Sequence, residues 1–294
     1  MERHPSAARR PGEPTKFLIL PSAALLLGLS IVPLMMLILF SFVDGNVSST
    51  QGITGFTLQN FLSMFQNATF SNLMVKSLNI ALLVTIVCIL IAYPAAWAIA
   101  QVVHPRHRNL LIMLAIVPAF TSQLLLIHSI MLLLQAGGPI MGLLGKLGLA
   151  DPSTSILYTT PAVVIILIYE YLPYMILCLY SCLEKIDMNV VNASHTLGAG
   201  RVRTFFNVVL PQSFPGLLAG ILIVFIPVAG SFVEPNVAGG PYGMMVGSLI
   251  DSQFTLVLNM GYGAALSFVF LLVMALVLGI IQLATSWAEK RIGG

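Results

Sequence analysis

Apolar residues fill this chain in six long runs set off by short polar punctuation, at about Phe17–Val43, Ser77–Val103, Leu110–Leu134, Pro161–Leu183, Pro215–Phe232 and Met260–Trp287. The runs are continuous, without the every-second-residue alternation of a half-buried strand, and most exceed the roughly 20 residues that carry a helix across a bilayer. Unpaired backbone amides are intolerable in hydrocarbon, so spans of this kind predict α-helices and exclude a closed barrel of alternating strands. The fold class expected is all-α, a polytopic membrane bundle of six transmembrane helices. At about 1.5 Å per residue a 26-residue helix is about 39 Å long, more than the ~30 Å hydrocarbon core, so tilt is expected. Proline sits inside five runs, as Pro33, Pro94, Pro118, Pro173 and Pro227, and each predicts a kink.

Composition agrees. Hydrophobic residues make up 58% and charged residues 8% of 294, and mean hydropathy is +0.97, far more apolar surface than a water-soluble domain buries. The net charge of +3 carries no nucleic-acid signal, because the basic residues sit at the ends of apolar runs rather than along one helix face. Eleven of the thirteen fall on one side: Arg3, Arg9, Arg10, Lys16, Arg106, Arg108, Lys185, Arg201, Arg203, Lys290 and Arg291. Only Lys76 and Lys146 fall on the other. The positive-inside rule then puts both termini and the loop of residues 184–214 in the cytoplasm, and loops near 44–76, 135–160 and 233–259 outside. Residues 1–16 form a basic tail ahead of a membrane domain of residues 17–294. The first apolar run is much longer than a signal-peptide core, so it is expected to stay as a span.

Little points to catalysis. The chain has no G-x-x-x-x-G-K-[ST] phosphate loop, no G-x-S-x-G elbow and no H-E-x-x-H pair. Cys88, Cys178 and Cys182 all lie in spans and read as packing residues; Cys178 and Cys182 share a helix face without a histidine to complete a metal site.

The polar, basic and glycine-broken stretch from Asn192 to Gly216 separates the fourth and fifth runs. Ile186, Val190, Ala193 and Leu197 recur at spacings of four, three and four, one face of a short helix. Gly198 follows the last of them, where a helix end requires positive φ. A second short helix is expected from about Val202 to Leu210, stopping at Pro211, with Pro215 opening the fifth span. Such an elbow suits docking into a partner's groove, while a plain interfacial loop whose Arg201 and Arg203 meet anionic lipid has the same helical pattern.

The order Ala193, Gly198, Ala199, Phe205, Val208, Leu210, Pro211, Pro215, Gly216 resembles the "EAA" cytoplasmic loop of binding-protein-dependent ABC transporter permeases. Three further segments, Tyr158–Asp187, Phe225–Gly240 and the stretch around Gly55–Phe61, resemble the spermidine/putrescine permease branch, and the likeness runs from about residue 17 onward. The resemblance implies a type I importer permease of the bacterial inner membrane, itself not an enzyme and without a cofactor. It would work with a second permease subunit, two ATPase subunits that hold ATP and Mg, and an external solute-binding protein. It implies that Asn192, Ala193, Ser194, Leu197, Gly198, Ala199, Arg201 and Arg203 couple to the ATPase, and that the cargo is a small organic cation, a polyamine. Where the family pattern has Glu-Ala-Ala this chain has Asn192-Ala193-Ser194, so an acidic contact to the ATPase is replaced. The alternatives are a permease of the same class for another small solute, and a stand-alone secondary transporter, which needs coupling-ion carboxylates and often a repeat.

For the cargo path the foremost candidate is Glu170, the one acid well inside a run, which costs a few kcal/mol there unless it faces a cavity or a partner. Tyr169, Tyr171 and Tyr174 surround it with aromatic faces that attract amines. Glu170 reads equally as a carboxyl hydrogen-bonded to a neighbouring helix. Glu234 and Asp251 flank the outward glycine-rich loop, where they meet cargo or docking protein, or are simply solvated.

Overall fold

The computed structural model describes residues 14–44, 55–148, 151 and 154–292; most of the basic tail falls outside them. Six helical stretches are long and apolar enough to cross a membrane. Four correspond to the predicted runs: α1 (Pro14–Ser41), α3 (Ala68–Trp97, begun well ahead of Ser77 and extended by a π-helical turn to Val102), α7 (Thr160–Leu183) and α13 (Met260–Ile292).

The other two differ from the sequence reading. The third span is not one helix from Leu110 to Leu134. It runs as α4 (Pro105–Ile116), a 3-10 turn at Val117–Phe120, an extended pair at Thr121 and Ser122, and α5 (Gln123–Leu134), followed by the short α6 (Pro139–Lys146). Pro118 has no N–H to give to the preceding turn, and here the chain breaks instead of bending. The fifth span begins earlier than Pro215: α9 (Arg201–Thr204), a π-helical turn (Phe205–Val209) and α10 (Leu210–Gly230) form one 30-residue helical stretch. Pro211 therefore does not end a separate loop helix. The wide π turn just before it accommodates the ring within a continuous helix.

α3, α7 and α10 pack together as the core through Val84, Cys88, Leu167, Met175, Leu179 and Val228, all fully buried. α1 packs chiefly on α13, and from Leu25 to Leu39 its leucines, isoleucines and methionines are mostly exposed, as lipid permits and water does not. The cysteines are unpaired, Cys88 buried and the others half-buried. At the end opposite the basic residues, strands β1 (Val43–Asp44) and β2 (Gly55–Phe56) pair antiparallel beside α2 (Gln59–Gln66), which Asn60 ties to α1 by donating to the Ser41 and Val43 carbonyls at 3.1 and 2.9 Å.

After α10 the helix stops at Ser231, and a π-helical turn (Pro235–Gly239), α11 (Gly240–Gly243) and α12 (Val246–Thr255) follow. α12 presses its backbone against the stop: a Cβ on Gly247 would lie 2.5 Å from the Ser231 carbonyl and 2.6 Å from that of Gly230, so only glycine fits. α3 and α7 hold the same segment. Lys76 and Thr160 donate to the Tyr242 carbonyl at 2.5 and 2.7 Å, and buried Ser77 accepts from the Val246 N–H at 2.8 Å.

Candidate functional site

Two constellations stand out, one at each end of the helical stretch 201–230. At the basic end the elbow begins where the Asp187 side chain accepts from Asn189 N–H at 2.9 Å and caps α8 (Met188–Thr196). Gly198 closes it at φ +85°, as its position after the apolar repeat predicts; its N–H and that of Ala199 return to the carbonyls of His195 and Ser194 at 2.9 and 3.1 Å. The Ser194 hydroxyl meets that of Thr204 at 3.1 Å, locking α8 against the start of the next helix. Gln101, at the end of α3, donates to the Leu183 and Ile186 carbonyls and fixes the elbow's root.

The apolar face of α8 is not turned inward. Of Ile186, Val190, Ala193 and Leu197 only Ile186 is buried, and Val191 supplies the inward contact instead. Leu197 is 88% exposed, Val202 72% and Phe206 58%, beside exposed Asn192, Ala193, Arg201 and Arg203. A short helix with its apolar stripe facing away from its own protein has the form that helix-in-groove recognition uses.

At the other end, three side chains from separate elements converge. Glu170 of α7 and Glu234, just past the break at Ser231, both accept from the Nε2 amide of Gln123, at 3.1 and 2.7 Å. The Ser231 hydroxyl donates to the second oxygen of Glu234, and the two carboxyl groups face one another. Glu234 is 1% exposed, which excludes the solvated one of its two readings: the break lets the chain turn back into the protein and carries the carboxylate with it. Glu170 keeps one buried oxygen without a partner. Gln123 is present only because Pro118 ends α4 and a new helix starts beside α7; an amide inside an apolar run is a signal that sequence reading passed over, as is Ser231 three residues before Glu234.

The remaining candidates divide. Tyr171 sits within electrostatic reach of both carboxylates and stacks obliquely with Tyr174, ring centroids 6.2 Å apart. Tyr169 is 47% exposed and stands apart. Asp251 accepts from Asn236 at 2.9 Å and lines a separate recess of about 280 Å³ with Phe232 and Phe270. Among the described residues no group of three metal-ligating side chains occurs.

Comparison with known proteins decides the family. Residues 103–293, which hold both constellations, match the binding-protein-dependent transport system inner membrane component. The chain belongs to this family of transport permeases. This permease is 34% identical to the spermidine/putrescine transport system permease protein PotB of Escherichia coli (strain K12), over 89% of its own length and 94% of that protein. It is 32% identical to PotB of Haemophilus influenzae, over 89% and 91%. In fold the permease is similar to a chain of the crystal structure of a bacterial alginate ABC transporter in complex with alginate pentasaccharide-bound periplasmic protein, with a TM-score of 0.74, 15% identity and coverage of 94% and 95%. As a family member it is a multi-pass inner membrane transport permease.

Proposed function

We propose that this permease imports a small organic cation, a polyamine such as spermidine or putrescine, by alternating access. Its partners in this reading are a second permease subunit, two ATPase subunits that bind ATP and Mg, and an external solute-binding protein. Both termini and the elbow face the cytoplasm, an orientation supported by the eleven basic residues on that side.

The observation that carries the cargo reading is the double hydrogen bond of one Gln123 nitrogen to Glu170 and Glu234. Two carboxylates brought together out of water repel, and an ammonium placed between them relieves that repulsion while taking more hydrogen bonds than an amide. Glu170 has a buried oxygen still without a donor, and Tyr171 lies near enough to add its ring. The names of the PotB relatives support the same cargo. For coupling, the exposed residues Leu197, Val202 and Phe206 fit the groove of an ATPase subunit, with Asn192 offering an amide where the family pattern has a carboxylate.

Reconstitution of the four-subunit complex with its binding protein tests the proposal by ATP-dependent uptake of labelled spermidine. Glu170→Gln and Glu234→Gln are each expected to cut uptake at least about tenfold. Transport of an uncharged solute with no response to either substitution overturns the cargo reading.

A further inference from the structure

Between α3, the elbow and α10, at the basic end, lies a cavity of about 700 Å³. Leu90, Trp97, Val191, Phe205 and Leu217 give it an apolar wall, and the two hydroxyls on that wall are already engaged, Tyr93 with Ser213 behind it and Thr204 with Ser194. Arg201, His195 and Asn192 stand at its margin, and none of the residues lining it is acidic. Two of its walls belong to helical stretches long and apolar enough to span a membrane, and the third is the elbow.

We propose that an anionic phospholipid of this leaflet occupies the cavity, one acyl chain between α3 and α10 and its phosphate on Arg201. Three features argue for that occupant. The wall on the α3 and α10 side is apolar and the polar side chains gather at the elbow, so an acyl chain gains by entering, at about 0.8 kcal/mol per CH₂ buried. The exposed guanidinium at the mouth fits a phosphate in bidentate geometry. Basic pockets between spans on the cytoplasmic side select anionic headgroups. A chain in this place braces Val191 of α8 and Phe205 of the π turn against α3, so the stiffness of the elbow depends on which lipid is bound. The inference stands apart from the identity of the cargo.

The test is photocrosslinking from a diazirine-bearing amino acid placed at position 217 of the assembled transporter, in vesicles of phosphatidylcholine containing phosphatidylglycerol. Adducts enriched in phosphatidylglycerol about fivefold over its mole fraction are expected, the factor that one near-surface cationic side chain supplies. Arg201→Gln should return the adducts to the bulk ratio, and Arg201→Lys should keep most of the enrichment. Adducts in bulk proportion with Arg201 present overturn the proposal, as does crosslinking to the second permease chain or to no lipid.

Discussion

The side chain of Gln123 donates to Glu234 at 2.7 Å although 111 positions of sequence separate them. Neither lies on a regular part of its span: one starts a helix after a proline break, and the other follows the stop of α10. Irregular backbone at membrane depth persists where it is buried in protein or lines a cavity, and here it aims polar side chains at a common point. Since the amide nitrogen serves two acceptors, its replacement probes both carboxylates at once.

Gln123→Lys places an ammonium where the amide stands. Uptake of spermidine should fall at least about tenfold because the tethered cation competes for the same two oxygens, while the thermal midpoint stays at or above that of the parent, since the new charge is paired. Full uptake by this variant would show that cargo passes elsewhere.

Glu234→Gln and Glu234→Ala separate charge from hydrogen bonding. Both lose uptake, but only alanine leaves the Ser231 hydroxyl without its acceptor and takes one of the two acceptors of Gln123 at a buried place, a cost of about 1–3 kcal/mol. Differential scanning fluorimetry should register this as a fall of about 2–6 °C for alanine and little change for glutamine. Equal melting of the two variants would contradict the hydrogen-bond network.

At Gly198 the left-handed backbone, φ +85°, costs a residue with Cβ about 1–2 kcal/mol, less for asparagine. Open space surrounds the position, so strain and not collision sets the order. Spermidine taken up per ATP hydrolysed should decline from glycine to asparagine to alanine to valine. Identical ratios across the series would remove the elbow from coupling.

Leu197→Asp and Val202→Asp alter side chains that touch little of their own protein. Each should leave membrane abundance and melting within experimental scatter, yet sharply reduce copurification of the ATPase subunit. Retention of the ATPase at parental levels would mean that the stripe docks nowhere.

How much of this was legible depends on range. α7 was readable almost to the residue because its run is bounded by Thr160 and the polar Glu184-Lys185, and the cap at Gly198 because helix ends have local rules. Glu170 was conspicuous as a charge in an apolar run. Its partners were not, since Gln123 and Glu234 reach it only through two breaks whose geometry is set by packing far away in sequence, including the approach of Gly247 to Ser231. Periodicity on α8 marked a face without telling whether it meets its own core; exposure of Leu197 shows that it does not. Pro211 was read as a stop because a π turn has no sequence signature strong enough to foretell it.

The unbroken stretch from Arg201 to Gly230 is about 45 Å long at 1.5 Å per residue. One tip adjoins the cap at Gly198 and the other adjoins Ser231, whose hydroxyl holds Glu234. No loop intervenes, so on the proposed coupling a tilt at the first tip reaches the second along one helix, bent only at its π turn and its prolines. On the proposed coupling, the helix that takes the push at its first tip also carries Ser231, and with it Glu234, at its second.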